Sequence, residues 1–134
     1  MVVQFSNISV MSFGKTIEEA FANAASDVLS HMGKLSKGKE DIKFEVQIKA
    51  STLQELFIEW LTDILEKSET QFIDVIKTPA KIGKFGNSYF LHGHVIGKKS
   101  KNEINNISSI KLIANTTVEI DEQDNKFAVR VEGL

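Results

Sequence analysis

Residues Ser51 to Lys67 read STLQELFIEWLTDILEK and form the most regular pattern in the chain. Apolar residues recur at the i, i+3, i+4 and i+7 spacing of one helical face, and they include Trp60, the only tryptophan. Ser51 and Gln54 have the spacing of a capping box, in which the two side chains satisfy free N–H groups at a helix start. We therefore predict an amphipathic helix that needs a sheet or a second helix to cover its apolar face. That face consists of Leu53, Leu56, Phe57, Trp60, Leu61, Ile64 and Leu65.

An earlier segment predicts a second helix. Thr16 and Glu19 form another capping box, and Gly33 stands where a left-handed residue commonly ends a helix. Alanines in the apolar stripe predict close packing against a neighbouring element. The stripe consists of Ile17, Ala20, Phe21, Ala24, Val28 and Met32.

Six segments are predicted to be strands. Residues 42–48 alternate between apolar and polar, which is typical of a strand with one face in water. Two out-of-phase pieces, 2–5 and 8–10, predict one strand interrupted by a bulge at Ser6-Asn7. The other predicted strands are 72–76, 89–96, 110–120 and 126–132. Strands 72–76 and 89–96 are separated by Pro79 and by the turn residues Gly83, Gly86 and Asn87. A mobile loop is predicted at 97–106, and a turn at 121–125 joins strands 110–120 and 126–132 as a hairpin.

The order of these elements predicts the fold class. Two helices can cover only one face of six strands, so we expect one α+β domain over residues 1–134. It would contain a six-stranded mixed sheet with both helices packed on one face. The other face would be wet or available to a partner.

Composition excludes several classes of protein. The 134 residues contain no cysteine, which excludes disulfides, thiolate metal sites and thiol nucleophiles. No apolar run has the length of a membrane helix and no signal-peptide pattern is visible, so we expect a cytoplasmic protein that does not enter a membrane. The net charge of −2 argues against wholesale capture of nucleic acid, although lysines cluster locally at 34–39 and 98–101.

His92 and His94 are the strongest candidates for chemistry. They lie two residues apart on a predicted strand, so they share one face, and this spacing suits a metal pair. The alternative is a half-buried strand that carries two histidines and no metal. No phosphate loop, dinucleotide motif or nucleophile elbow is present. One enzymatic hypothesis stays open, a metal-dependent hydrolase that uses His92, His94 and Glu132.

Three segments resemble the archease family. Residues 13–25, FGKTIEEAFANAA, resemble its first helix: aromatic, Gly, any residue, Thr or Ser, Leu, Glu-Glu, Ala-Phe, then Asn-Ala-Ala. Residues 53–65 are similar to the second helix with its Leu-Leu-x-x-Trp-Leu core, and residues 109–114 resemble the Glu-Val-Lys-Ala-Ile-Thr strand. The element order also matches from end to end, so the chain is identified as an archease-like domain of divergent sequence.

The resemblance implies a non-enzymatic, chaperone-like accessory factor of RNA processing that activates the tRNA-splicing RNA ligase. The implied partner is that ligase or a tRNA-modifying enzyme such as a tRNA methyltransferase, with any tRNA contact indirect. Direct RNA binding through the lysine-rich loops remains an alternative. Partner contacts are expected at Lys111, Lys34, Lys98 and Lys99.

The resemblance also implies a small site for a divalent cation, calcium or magnesium. Asn7 corresponds to the Asp of the family's His-Thr-Ala-Asp segment. Glu132 corresponds roughly to the Asp that the family has near its C-terminus. Lys34 replaces an Asp found just past the first helix, whereas Lys111 matches outright. Losing one carboxylate removes a unit charge, worth roughly 4 kcal/mol at 4 Å with an effective dielectric constant of 20. We therefore expect a weakened metal site at Asn7 and Glu132.

Overall fold

The computed structural model describes residues 9–100 and 116–133. The predicted strand at 2–5, the bulge at Ser6-Asn7, loop residues 101–106 and strand residues 110–115 lie outside these described residues. The α+β class is confirmed. The elements are β1 Ser9–Gly14, α1 Ile17–His31, β2 Ile42–Ala50, α2 Leu53–Thr70, β3 Ile73–Lys77, β4 Ala80–Phe85, β5 Ser88–Lys99, β6 Thr116–Gln123 and β7 Lys126–Gly133.

Helix α1 begins and ends as its sequence predicts. The Thr16 side chain accepts a hydrogen bond from the Glu19 N–H at 3.0 Å, which confirms this N-cap. At the other end Gly33 has a φ of 68°, and the Lys34 N–H donates to the Leu29 carbonyl oxygen at 2.8 Å. This six-to-one hydrogen bond is the Schellman arrangement that satisfies the last carbonyl groups of a helix.

Helix α2 keeps its predicted apolar face, but its N-cap lies one residue later than predicted. Thr52 is the N-cap and accepts from the Glu55 N–H at 3.1 Å, so the capping pair is not Ser51 and Gln54. Strand β2 runs on to Ala50, and Ser51 is therefore needed to turn the chain from sheet to helix. The buried residues of α2 are Leu56, Phe57, Trp60, Leu61, Ile64, Leu65 and Ser68.

The predicted six-stranded mixed sheet is wrong, because the described strands form two sheets. One has the order β1-β7-β6, and the other has β5 at its centre with β2 on one side and β3 and β4 on the other. Every paired strand is antiparallel, and an isolated parallel bridge joins Leu35 to Val75. Helix α1 contacts β1, β7, β3 and β4, and α2 contacts β2, β5, β3 and β6. Both helices therefore pack on both sheets, and they do not lie on one face of a single sheet.

Strand β4 is the element that the sequence patterns missed. Residues 80–85 pair with β5 through the two-residue turn Gly86-Asn87, in which Gly86 has a φ of 64°. Gly83 weakens the strand pattern, and the turn predicted at Gly83, Gly86 and Asn87 is shorter in the structure, at Gly86-Asn87. The predicted hairpin of β6 and β7 is confirmed. Its turn is shorter than predicted because only Asp124 and Asn125 have positive φ, as a type I′ turn requires.

The core lies where the helices meet the inner faces of the two sheets. Phe21 of α1 and Phe57 of α2 are fully buried and meet edge to face, with ring centroids 5.1 Å apart. Val129 and Val131 of β7 and Leu91 of β5 are buried in the same cluster. No helix in the described ranges is long and apolar enough to cross a membrane.

Candidate functional site

The two candidate histidines lie on the outer face of β5. Gly93 lies between them, and a Cβ added to it would point inward and come within 2.8 Å of Cη2 of Trp60. The pleat therefore turns His92 and His94 away from the core, and their side chains are 52% and 28% exposed. The predicted sharing of one face is confirmed.

Strand β2 brings a carboxylate to these histidines. Its antiparallel register places Glu45 opposite His94 and Gln47 opposite His92. Oε2 of Glu45 lies 3.1 Å from Nε2 of His92 and 4.0 Å from Nε2 of His94. One ligand atom from each of the three side chains lies within 4.8 Å of the other two. We call Glu45, His92 and His94 the outer cluster.

The two histidines stabilise the ionised form of Glu45. The hydrogen bond with His92 and the charge of that ring lower the pKa of Glu45, and His94 acts in the same direction.

Lys81 of β4 is the register partner of His92 on the other side of β5. A shallow cavity of about 660 Å³ opens beside His92 and is also lined by Lys49, Lys81 and Phe90.

The hydrolase hypothesis combined Glu132 with the two histidines, but the structure does not place Glu132 in the outer cluster. Glu132 lies on β7 in the three-stranded sheet, opposite Ser9 of β1 and Thr117 of β6. Sequence reasoning missed Glu45 because the register between β2 and β5 is set by tertiary packing. The available signal was alternation, which correctly put Glu45 on the wet face of its strand.

The residues implied by the family resemblance are only partly described. Asn7 and Lys111 lie outside the described residues. Glu132 is exposed near the end of β7, and its carbonyl oxygen accepts from the Thr117 hydroxyl at 3.4 Å. The first described residue, Ser9, is its register partner on β1.

The candidate lysines already have contacts within the chain. Nζ of Lys34 lies 3.7 Å from a Glu69 carboxylate oxygen, and the Lys34 side chain is only 15% exposed. Nζ of Lys98 donates to the Lys37 carbonyl oxygen at 2.8 Å. Residues 97–99, predicted as part of a mobile loop, belong to β5, and Lys99 donates its N–H to Asp41 at 3.2 Å.

Comparison with known proteins adds an independent observation. The model of the Archease protein family matches residues 6–132. This chain belongs to the archease family. It is 26% identical over 120 residues to the protein archease of Methanothermobacter thermautotrophicus, covering 90% of this chain and 86% of that one.

The fold agrees with the family assignment. The solution structure of protein 1598 of Methanobacterium thermoautotrophicum superposes with a TM-score of 0.67 and 20% identity, covering 99% of this chain and 96% of that one. At this identity the superposition shows a shared fold. The archease resemblance read from the helix motifs is therefore confirmed.

Proposed function

We propose that this archease-family chain is a non-enzymatic accessory factor of RNA processing that activates a tRNA-splicing RNA ligase. The observation that carries the proposal is the family match over residues 6–132. Within that match, the first motif runs from the end of β1 into the capped helix α1, and the second motif lies on α2 with most of its apolar residues buried.

An exposed apolar pair supports a protein as the partner. Met11 and Phe13 of β1 are 46% and 52% exposed, and they alternate with buried residues. They share the outer face of the three-stranded sheet with Arg130 and Glu132, because Met11 is the register partner of Arg130 and Ser9 that of Glu132. Exposed aromatic and methionine side chains with charged neighbours are typical of protein interfaces.

The lysine contacts favour this role over direct RNA binding. Lys34 is mostly buried against Glu69, and Lys98 donates to the backbone at Lys37. Both ammonium groups would have to give up or share these contacts to neutralise phosphates. A role as chaperone of a tRNA methyltransferase would use the same protein-docking surface. An experiment must therefore distinguish the RNA ligase from the methyltransferase as the client.

The test measures turnover by the tRNA-splicing ligase of the same organism with the full-length chain added. We expect the ligase to complete many more joining events per molecule. Phe13→Ser should weaken this activation about 10-fold, because an interface aromatic typically contributes more than about 1.4 kcal/mol. Phe85→Ser is the matched control, since Phe85 is 81% exposed on β4 and should not affect the ligase.

Activation that is absent at all chain concentrations would contradict the proposal. Loss of activation in both phenylalanine variants would contradict the assignment of the Met11 and Phe13 surface. Binding of tRNA to the chain alone, falling steeply as salt rises, would support the RNA-binding alternative.

We further propose a weakened calcium or magnesium site that uses Asn7 and Glu132. An Asn carbonyl oxygen is a weaker ligand for a hard cation than a carboxylate, because it carries no charge. Asn7→Asp should therefore raise the affinity for calcium at least about 10-fold, measured by calorimetry on the full-length chain. Asn87→Asp in the exposed β4–β5 turn is the control and should leave the affinity unchanged. An equal affinity for Asn7→Asp and the parent chain would show that these two residues do not share a cation.

A further inference from the structure

The outer cluster has the donor set of a transition-metal site. We propose that Glu45, His92 and His94 bind one Zn²⁺ or a similar borderline divalent ion on the outer face of the β2–β5 pair. Two imidazole nitrogens and one carboxylate oxygen are ligands that zinc takes in open sites with three protein ligands. Calcium and magnesium prefer oxygen ligands only, so this site is chemically different from the cation site proposed at Asn7 and Glu132.

The distances fit a shared ion after small adjustments. Zinc bonds of about 2.0–2.2 Å in tetrahedral geometry place ligand atoms about 3.3 Å apart. The oxygen of Glu45 already lies 3.1 Å from Nε2 of His92 and 4.0 Å from Nε2 of His94. The ring centroids are 5.4 Å apart with a tilt of 48°, so the rings do not stack flat against each other. A side-chain rotation that moves the His94 nitrogen by under about 1 Å brings its distance to Glu45 into range.

The backbone holds the three ligands in place. His94 and Glu45 are direct register partners, and His92 lies diagonal to Glu45 on the same face. Strand β5 is paired along both edges, with β2 on one side and β3 and β4 on the other. Beneath the site, Gly93 packs against the fully buried Trp60. Ligands on paired strands of this kind are preorganised, which favours binding over a chance meeting of surface side chains.

Electrostatics and exposure define the character of the site. Lys81, the register partner of His92, repels a cation and makes the site weaker than a closed structural zinc site. The Glu45 and His92 side chains are more than half exposed. The fourth coordination position therefore faces solvent and takes a water molecule or a donor atom from a docked molecule.

Calorimetry with ZnCl₂ on the metal-free full-length chain tests the proposal. We expect one Zn²⁺ per chain at the outer cluster, not displaced by excess calcium. His92→Ala and His94→Ala should each weaken zinc binding by at least about 10-fold, as loss of a ligand does at minimum. Glu45→Gln should weaken it as well, because the amide lacks the negative charge. The matched controls are His31→Ala, the third histidine, and Glu119→Gln, an exposed strand glutamate; both residues lie outside the cluster, and both variants should bind as the parent does.

A spectroscopic measurement on the unmodified chain removes any dependence on variant folding. The imidazole NMR signals of two of the three histidines should shift on zinc addition, and the His31 signal should not. Absence of zinc-induced heat would overturn the proposal. So would equal zinc affinity in the cluster variants, or a shift confined to His31.

Discussion

Trp60→Ala is expected to lower the free energy of unfolding by about 3–5 kcal/mol. Trp60 is the largest fully buried side chain of the described core. It lies on the inner face of α2 and contacts Gly93 of β5, so it fills the space between helix and sheet. Alanine would leave a cavity there, because neither the backbone of α2 nor that of β5 can move in to close it. Urea unfolding followed by far-UV circular dichroism measures the loss, because the variant has no tryptophan fluorescence to follow.

Trp60→Phe is the matched control for this change. It keeps an aromatic ring and removes an indole N–H that is buried without a hydrogen-bond partner among the described residues. Losing an unsatisfied buried donor offsets part of the lost packing, so the phenylalanine variant should lose clearly less stability than the alanine variant. A loss below about 1 kcal/mol for Trp60→Ala would mean that α2 does not bury this face.

The sequence predicted the helices well because the information for a helix is local. The i, i+3, i+4 spacing identified the buried face of α2, and the Thr16 cap and Gly33 identified both ends of α1. The cap of α2 was misplaced by one residue because both Ser51 and Thr52 are followed three positions later by Gln or Glu. Local patterns cannot separate two caps of this kind, and the length of β2 decides between them.

The sheets were predicted less well because strand pairing is not local. Alternation identified β2, the outward direction of Glu45 and the shared face of His92 and His94. It could not provide the register that places Glu45 opposite His94, since these residues are far apart in the chain. For the same reason the sequence did not group Glu45 with the two histidines, and it did not predict the division of the strands into two sheets.

The archease residues illustrate a different kind of prediction. The helix motifs predicted the family, and the match over residues 6–132 confirms it. Motif comparison also identified the change at Asn7, but it says nothing about the outer cluster, which depends on the pairing of β2 with β5. The structure therefore supplies a candidate site that the family motifs did not suggest.

The first archease motif contains a glycine whose role the structure explains, and Gly14→Ala tests that role. A Cβ at Gly14 would lie 2.3 Å from the backbone nitrogen of Ala20 and 2.8 Å from its Cα. Gly14 ends β1, and Ala20 lies in the first turns of α1, so the strand and helix backbones approach closely here. No side-chain rotation can relieve a contact between a Cβ and backbone atoms.

Gly14→Ala should therefore force β1 and α1 apart and lower the free energy of unfolding by about 3 kcal/mol, the upper end for overpacking. Gly83→Ala on β4 is the control, because a Cβ there would meet no atom within 4 Å. That variant should keep its stability or gain up to about 1 kcal/mol from a less flexible unfolded chain. Urea unfolding of both variants measures the difference. Equal free energies of unfolding for the Gly14→Ala and Gly83→Ala variants would show that β1 and α1 can separate without loss of stability. Close packing would then not explain the glycine of the motif.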